Sequence, residues 1–272
     1  MGSFLRLLFR ALGSDFGNQE KRNRLEASGF QRGAMEAVVE AYRRGDYDTA
    51  LERSKVLRDA GDMASYSFYR GSLLIQVGEE KEAEAWMRWR LESISDARLR
   101  ALSYGELGHV LMIQQRYDEA MEAFTACLKL WPNRPSSYRN VAECWLRQGD
   151  NAGEALKWAM EAVERQRAEQ PETEGAKLVH EINLAEELTT LAWAIAANGG
   201  DASEVNELVA EAVPLAGEQA VESTAMVHFQ AGLAYAVLED LETSGAYFEE
   251  AARVDPQGRW GREARAMMAE VG

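Results

Sequence analysis

Small residues recur along this chain at a spacing that few folds other than a stack of helix pairs accommodate. Ala50, Ala83, Ala120, Ala155, Val205 and Ser244 are separated by 33, 37, 35, 50 and 39 residues, each within an amphipathic run. The clearest unit is 101–134, where Leu107, Gly108 and Leu111 precede Ala120, Phe124 and Pro132. Two antiparallel helices account for this set. Gly108 and Ala120 lack bulk where the helices approach most closely, Leu107, Leu111 and Phe124 fill the seam, and Pro132 stops the second helix. In the run 176–197, Leu178, Ile182, Ala185, Leu188, Ala192 and Ile195 fall at three- and four-residue steps, the stripe of an amphipathic helix. No stretch alternates apolar and polar residues long enough to predict a sheet.

These residues resemble the tetratricopeptide (TPR) repeat, whose pattern is Trp-x2-Leu-Gly-x2-Tyr, then Ala, Phe and Pro within thirty-four residues. Tyr104 stands for the Trp and Leu111 for the Tyr. Residues 225–258 match about as well through Gly232, Tyr235, Phe248, Ala251 and Pro256. Ser244 stands there in place of Ala, which predicts a slightly wider helix pair. Weaker copies at 31–61, 64–94, 135–167 and 185–216 keep the turn glycines Gly45, Gly78, Gly149 and Gly199. The resemblance implies an all-α protein, an α-solenoid (right-handed superhelix) of about six TPR-like helix pairs with a C-terminal capping helix. The expected organisation is an amphipathic helix at 1–14, a tether and lead-in at 15–30, and repeats one to four at 31–167. A polar loop and the start of an extended helix follow at 168–184, then repeats five and six at 185–258 and the capping helix at 259–272. The loop reads either as a hinge or as a tolerated surface insertion. The cap is needed because a last repeat otherwise shows its apolar side to water.

The apolar fraction of 46% is ample for a folded core and excludes a disordered chain. Cys127 and Cys144 form no disulfide framework or metal motif and read as core thiols. The net charge of −15 is unevenly placed. Residues 1–167 are neutral overall, 168–250 carry 17 acids against Lys177 alone, and 251–272 are net +1. Phosphate binding needs cationic contacts, so nucleic acid is excluded as a partner there, and a basic peptide or protein face is favoured. A solvated, solubilising surface is the plainer alternative.

At the N-terminus, Phe4, Leu5, Leu8 and Phe9 share one broad helical face opposite Arg6 and Arg10. The run is too short and too interrupted to span a bilayer. It suits a helix in a membrane interface, a cap on the first repeat, a ligand for the chain's own groove, or a contact with another copy. The expected location is cytoplasmic, with peripheral contact at the inner membrane surface if the membrane reading holds.

Neither a His-x-x-x-His or Cys-x-x-Cys pair nor a Gly-rich phosphate loop is present, so no metal, cofactor or catalytic residue is expected. Glu79-Glu80 and Glu186-Glu187 read as helix surfaces. Recognition then falls to the concave face, which in TPR proteins is lined by the first helix of each repeat. Carried onto this chain, the lining is Met35, Val39, Tyr42, Phe68, Tyr69, Ile75, His109, Met112, Arg139, Asn140, Glu143, Trp193, Phe229 and Gln230. The Lys–Asn pair that some TPR domains use to grip a C-terminal carboxylate is missing. The resemblance therefore implies a non-catalytic adaptor that binds a helical or extended protein segment in its groove. The alternative is a membrane-peripheral assembly subunit held by its N-terminal helix.

Overall fold

The computed structural model describes residues 29–59, 63–217 and 220–271. The amphipathic helix expected at 1–14, with Phe4, Leu5, Leu8 and Phe9, lies outside the described residues, as does the Phe68 side chain. The described residues form an all-α solenoid of six antiparallel pairs and a final helix. The pairs are α1 (Gly29–Arg43) with α2 (Tyr47–Asp59), α3 (Met63–Gln76) with α4 (Glu80–Ser93), and α5 (Ala97–Ile113) with α6 (Tyr117–Leu130). Then come α7 (Pro135–Gln148) with α8 (Ala152–Ala168), α9 (Glu174–Ala197) with α10 (Ala202–Ala216), α11 (Val221–Val237) with α12 (Leu241–Val254), and α13 (Arg259–Val271).

Short polar side chains start several of these helices by accepting from backbone N–H groups that have no intrahelical partner. Asp96 accepts from Leu99 at 2.8 Å, Asn151 from Glu154 at 3.1 Å, and Thr173 from Ala176 at 3.2 Å. Four of the turns within pairs end on a left-handed glycine, as at Gly45 (φ 73°) and Gly78 (φ 82°). Gln115 (φ 60°) and Glu239 (φ 63°) hold the corresponding place in the third and sixth pairs without that freedom.

All six spaced small residues are buried, Ala50 through Val205 completely and Ser244 to 3% exposure. They sit where the helices of each pair cross. At Gly108 an added Cβ would lie 2.5 Å from the Phe124 ring, and at Gly232 it would lie 2.7 Å from the Phe248 ring. The sixth pair is thus packed about as tightly as the third, contrary to the wider spacing expected from Ser244. The serine fits because its hydroxyl donates to the Gly232 carbonyl at 2.9 Å, across the pair. Pro214 lies inside α10, near its C-terminal end.

Helix α13 covers the last pair. Trp260 is 2% exposed and lies against Phe229, ring centroids 5.5 Å apart, with Phe248, Ala251 and Ala264 in the same cluster. No helix among the described residues is long and apolar enough to cross a membrane. Cys127 and Cys144 are free and buried, and burial pushes the Cys144 thiol far above its ordinary value.

Candidate functional site

The first helices of successive pairs pack side by side, α5 on α7, α7 on α9 and α9 on α11, so their inner faces form one continuous surface. The expected lining residues divide into two groups there. Met35, Val39 and Tyr69 join the core between the first two pairs, with Val38, Tyr47 and Leu73. Ile75 packs with Leu74, Ala83 and Val110, Met112 with Leu111 and Phe124, Trp193 with Leu188 and Val227, and Phe229 with Phe248 and Trp260. These apolar side chains hold neighbouring helices together in this conformation.

The polar members converge instead. Arg139 on α7 pairs with Glu186 at 3.1 Å and Glu187 at 3.3 Å, both on α9. Asn140 donates from Nδ2 to His109 Nε2 at 3.1 Å, which leaves the proton of the neutral imidazole on Nδ1. The His109 ring stands edge-on to Phe124. Gln230 on α11 accepts from Thr189 at 2.9 Å and Thr190 at 3.0 Å, and its amide reaches Glu143 at 3.5 Å. Arg147 bridges Glu143 on its own helix and Glu263 on α13, each at 2.8 Å. Arg259 pairs with Glu263 at 2.6 Å and approaches Glu143 at 3.9 Å.

The two ends of the solenoid meet over this surface through side chains. Glu222, in the first turn of α11, accepts from the Tyr42 hydroxyl at the end of α1 and from the Gln76 amide at the end of α3. Gln76 is 2% exposed and is held on both sides. Its Oε1 accepts from the Arg259 backbone N–H at 3.2 Å, and its backbone carbonyl accepts from Arg262 at 2.7 Å. Val221 lies 3.3 Å from where a Cβ on Gly45 would stand, so the first pair's turn touches the start of α11. The capping helix therefore does more than cover the last pair. Its first turn crosses to the second pair, and the C-terminal repeat occupies the face that the N-terminal repeats present.

Electrostatics follow from that burial. Five carboxylates (Glu143, Glu186, Glu187, Glu222, Glu263) and three guanidinium groups (Arg139, Arg147, Arg259) meet on this surface. Burial, opposed by the Tyr42 hydrogen bond but reinforced by Glu186 and Asp255, pushes Glu222 up to about 7. Burial likewise pushes Glu187 up to about 8 against the pull of Arg139. Glu263 goes the other way: despite its burial, Arg259 and Arg147 hold it down to about 2. Burial, with Arg259, Arg139 and Arg134 nearby, keeps His109 well below the ordinary imidazole range.

Glu186 and Glu187 thus turn inward, with Glu187 fully buried, where a solvated helix surface was expected. The signal was slight: Glu187 directly precedes the stripe residue Leu188, in a stretch where Leu184, Ala185, Leu188 and Leu191 are all apolar. Gln76, Glu222, Arg259 and Glu263 were not anticipated. The four-residue spacing of Arg259 and Glu263 marked an ion pair, but nothing local marked its partner on α7. Asn140 Oδ1, on this inner face, has no hydrogen-bond partner among the described residues.

A profile of the tetratricopeptide repeat family matches residues 106–171, and a second tetratricopeptide repeat profile matches residues 227–257. With six helix pairs of the same build around them, the chain is a tetratricopeptide-repeat protein. No curated protein sequence matches it. Among solved structures it is similar to YrrB, a TPR protein with an unusual peptide-binding site, at 19% identity over 78% of this chain and 96% of that one, TM-score 0.40. It is also similar to BtubC from P. vanneervenii, at 18% identity over 84% of this chain and 91% of that one, TM-score 0.47. PilF of Pseudomonas aeruginosa is similar at 17% identity over 87% of this chain and 96% of that one, TM-score 0.44. TPR repeats generally serve as non-catalytic interaction scaffolds.

Proposed function

We propose that this protein is a non-catalytic scaffold that takes a segment of a partner protein on the inner face of its first helices. The supporting observation is the convergence of polar side chains from separate repeats, Tyr42, Gln76, His109, Arg139, Asn140 and Glu143, onto one face. Buried polar groups cost stability unless paired, and these are paired between separate repeats. A polar lining that is satisfied in part by the chain's own C-terminal repeat suits reversible occupation. The acidic block at 168–250 favours a partner segment carrying positive charge.

Photocrosslinking amino acids at the half-buried Tyr42 and His109, compared with the exposed Trp89 and Met160 on α4 and α8, test this reading. Capture of a common partner from the first two positions supports the inner face. Capture from Trp89 and Met160 alone contradicts it.

A further inference from the structure

The seam between the two ends of the solenoid has an unequal construction. On one side, α13 is fastened to its own repeat by Trp260, buried against Phe229 and Phe248 with the Arg259 guanidinium 4.0 Å from the indole ring. On the other side, its hold on α3 is polar. Arg262 donates to the Gln76 carbonyl at 2.7 Å, and the Arg259 N–H donates to the Gln76 side chain at 3.2 Å. Hydrogen bonds exchange with water at little net cost, whereas exposing a buried tryptophan does not. The seam is therefore the first contact to open, and α13 leaves α3 together with the rest of the last repeat.

What Arg262 occupies is a seat suited to cations. The last carbonyls of a helix have no intrahelical donor and carry the negative end of the helix dipole. Gln76 is the last residue of α3, and an arginine bound at its carbonyl completes that end. Beside it the Gln76 side-chain oxygen accepts from the Arg259 backbone N–H, while the Arg259 guanidinium turns to Glu263 at 2.6 Å and Glu143 at 3.9 Å. Gly78, one residue past the end, lies beside the Arg262 guanidinium, where an added Cβ would be 3.6 Å from Nη2.

We propose that the turn carrying Arg259 and Arg262 is an internal occupant of this cation seat, and that an arginine-bearing segment of a partner protein takes the seat by displacing the C-terminal repeat. This rests on the reading of the inner face as the binding surface and names the chemistry that surface accepts. The chain supplies its own competitor, so binding is coupled to opening of the seam, and the observed affinity is reduced by the fraction of molecules that remain closed.

The test uses the full chain and a labelled peptide of residues 257–265, QGRWGREAR, with fluorescence anisotropy as the readout. In the Arg259→Ala, Arg262→Ala variant the internal occupant is weakened and the seat is intact. Its affinity for the peptide is expected to exceed that of the wild type by about tenfold, the change produced when the open state rises from about a tenth of molecules to nearly all. Adding Gln76→Lys to that variant leaves the backbone carbonyl in place but sets a fixed cation beside it, which competes for the seat and abolishes the gain. Tyr42→Phe with Glu222→Gln weakens the seam without touching either arginine, and it raises affinity in the same direction if the arginine variant folds poorly. Equal affinity for wild type and both seam variants overturns the internal occupant while leaving the inner face as a binding surface. No binding to seam variants of unchanged helical content overturns the arginine chemistry. Binding that survives Gln76→Lys overturns the placement of the seat.

Discussion

Two glycine-to-alanine substitutions in helices should change stability in opposite directions. In a helix interior, alanine is favoured over glycine by about 1 kcal/mol. At Gly245 in α12 an added Cβ meets nothing within 4 Å, so the full propensity gain of about 0.5–1 kcal/mol is expected. At Gly108 in α5 the same methyl would stand 2.5 Å from Cε1 and 2.7 Å from Cδ1 and Cζ of Phe124. That ring is fully buried beside Ala120 and Ala123 and has no free end to swing aside. Overpacking of this kind costs about 1–3 kcal/mol, which outweighs the propensity gain. Gly108→Ala should therefore lower stability by roughly 1–2 kcal/mol, separating the two variants by about 1.5–3 kcal/mol. Urea denaturation followed by circular dichroism reads the difference, with midpoints compared directly because a solenoid need not unfold in one step. Equal shifts, or a stabilised Gly108→Ala, would show that Phe124 does not lie on Gly108 and that the pairing register is wrong.

Stability should also depend on pH. Glu222 and Glu187, raised to about 7 and 8 from 4.5, keep protons in the folded chain that the unfolded chain releases, so their contribution is complete below pH 4.5 and is lost as pH rises through those values. Around Glu222 stand Tyr42, Glu186, Asp255 and Arg259; around Glu187 stand Arg139, Glu186, Glu169 and Arg134. His109, held neutral, acts oppositely, because the unfolded chain gains a proton as pH falls through its ordinary value of 6.5. The steepest loss is thus expected between pH 6.5 and 8, on the order of 2 kcal/mol, and Glu222→Gln with Glu187→Gln should flatten a melting-midpoint profile across that window. The exposed acids of the last two pairs, including Glu204, Glu207, Glu242 and Glu249, should speed encounter with a basic peptide, so its association rate should fall with added salt while a neutral peptide's does not. The apolar face of Phe4, Leu5, Leu8 and Phe9 predicts weak pelleting with anionic liposomes that is lost on deleting residues 1–14 or in Leu8→Glu with Phe9→Glu; pelleting unchanged by these would refute it.

Much of the fold was legible because the constraint repeats. A small residue is required wherever two helices cross closely, and that demand recurs in every pair, so even Val205 and Ser244 could be placed by spacing. The inner face was less legible. Position along a first helix says that Met35, Val39 and Tyr69 face the groove side, but not that neighbouring helices will cover them, since that depends on how tightly the superhelix is wound. The closure was hidden for the same reason. Tyr42 and Glu222 are 180 residues apart, and no local pattern in α1 announces a partner in α11. Glu186-Glu187 carried only a faint signal, since both lie off the apolar stripe and their burial depends on Arg139 from the neighbouring helix. Ser244 was misjudged by size alone, since its hydroxyl bonds across the very gap it was expected to widen.

In the arrangement described the free protein is closed, with its C-terminal repeat seated on the N-terminal ones. Nitroxide labels at Asp46→Cys and Gln257→Cys, both exposed, report on this directly, with the buried Cys127 and Cys144 replaced by alanine. Asp46 adjoins Gly45, and an added Cβ there would lie 3.6 Å from the carboxylate of Asp255, two residues before Gln257. Pulsed dipolar spectroscopy on the free protein should give one narrow, short distance that lengthens and broadens when Arg259→Ala and Arg262→Ala are introduced. A long, broad distribution in the free protein, unchanged by those substitutions, would contradict the closed arrangement.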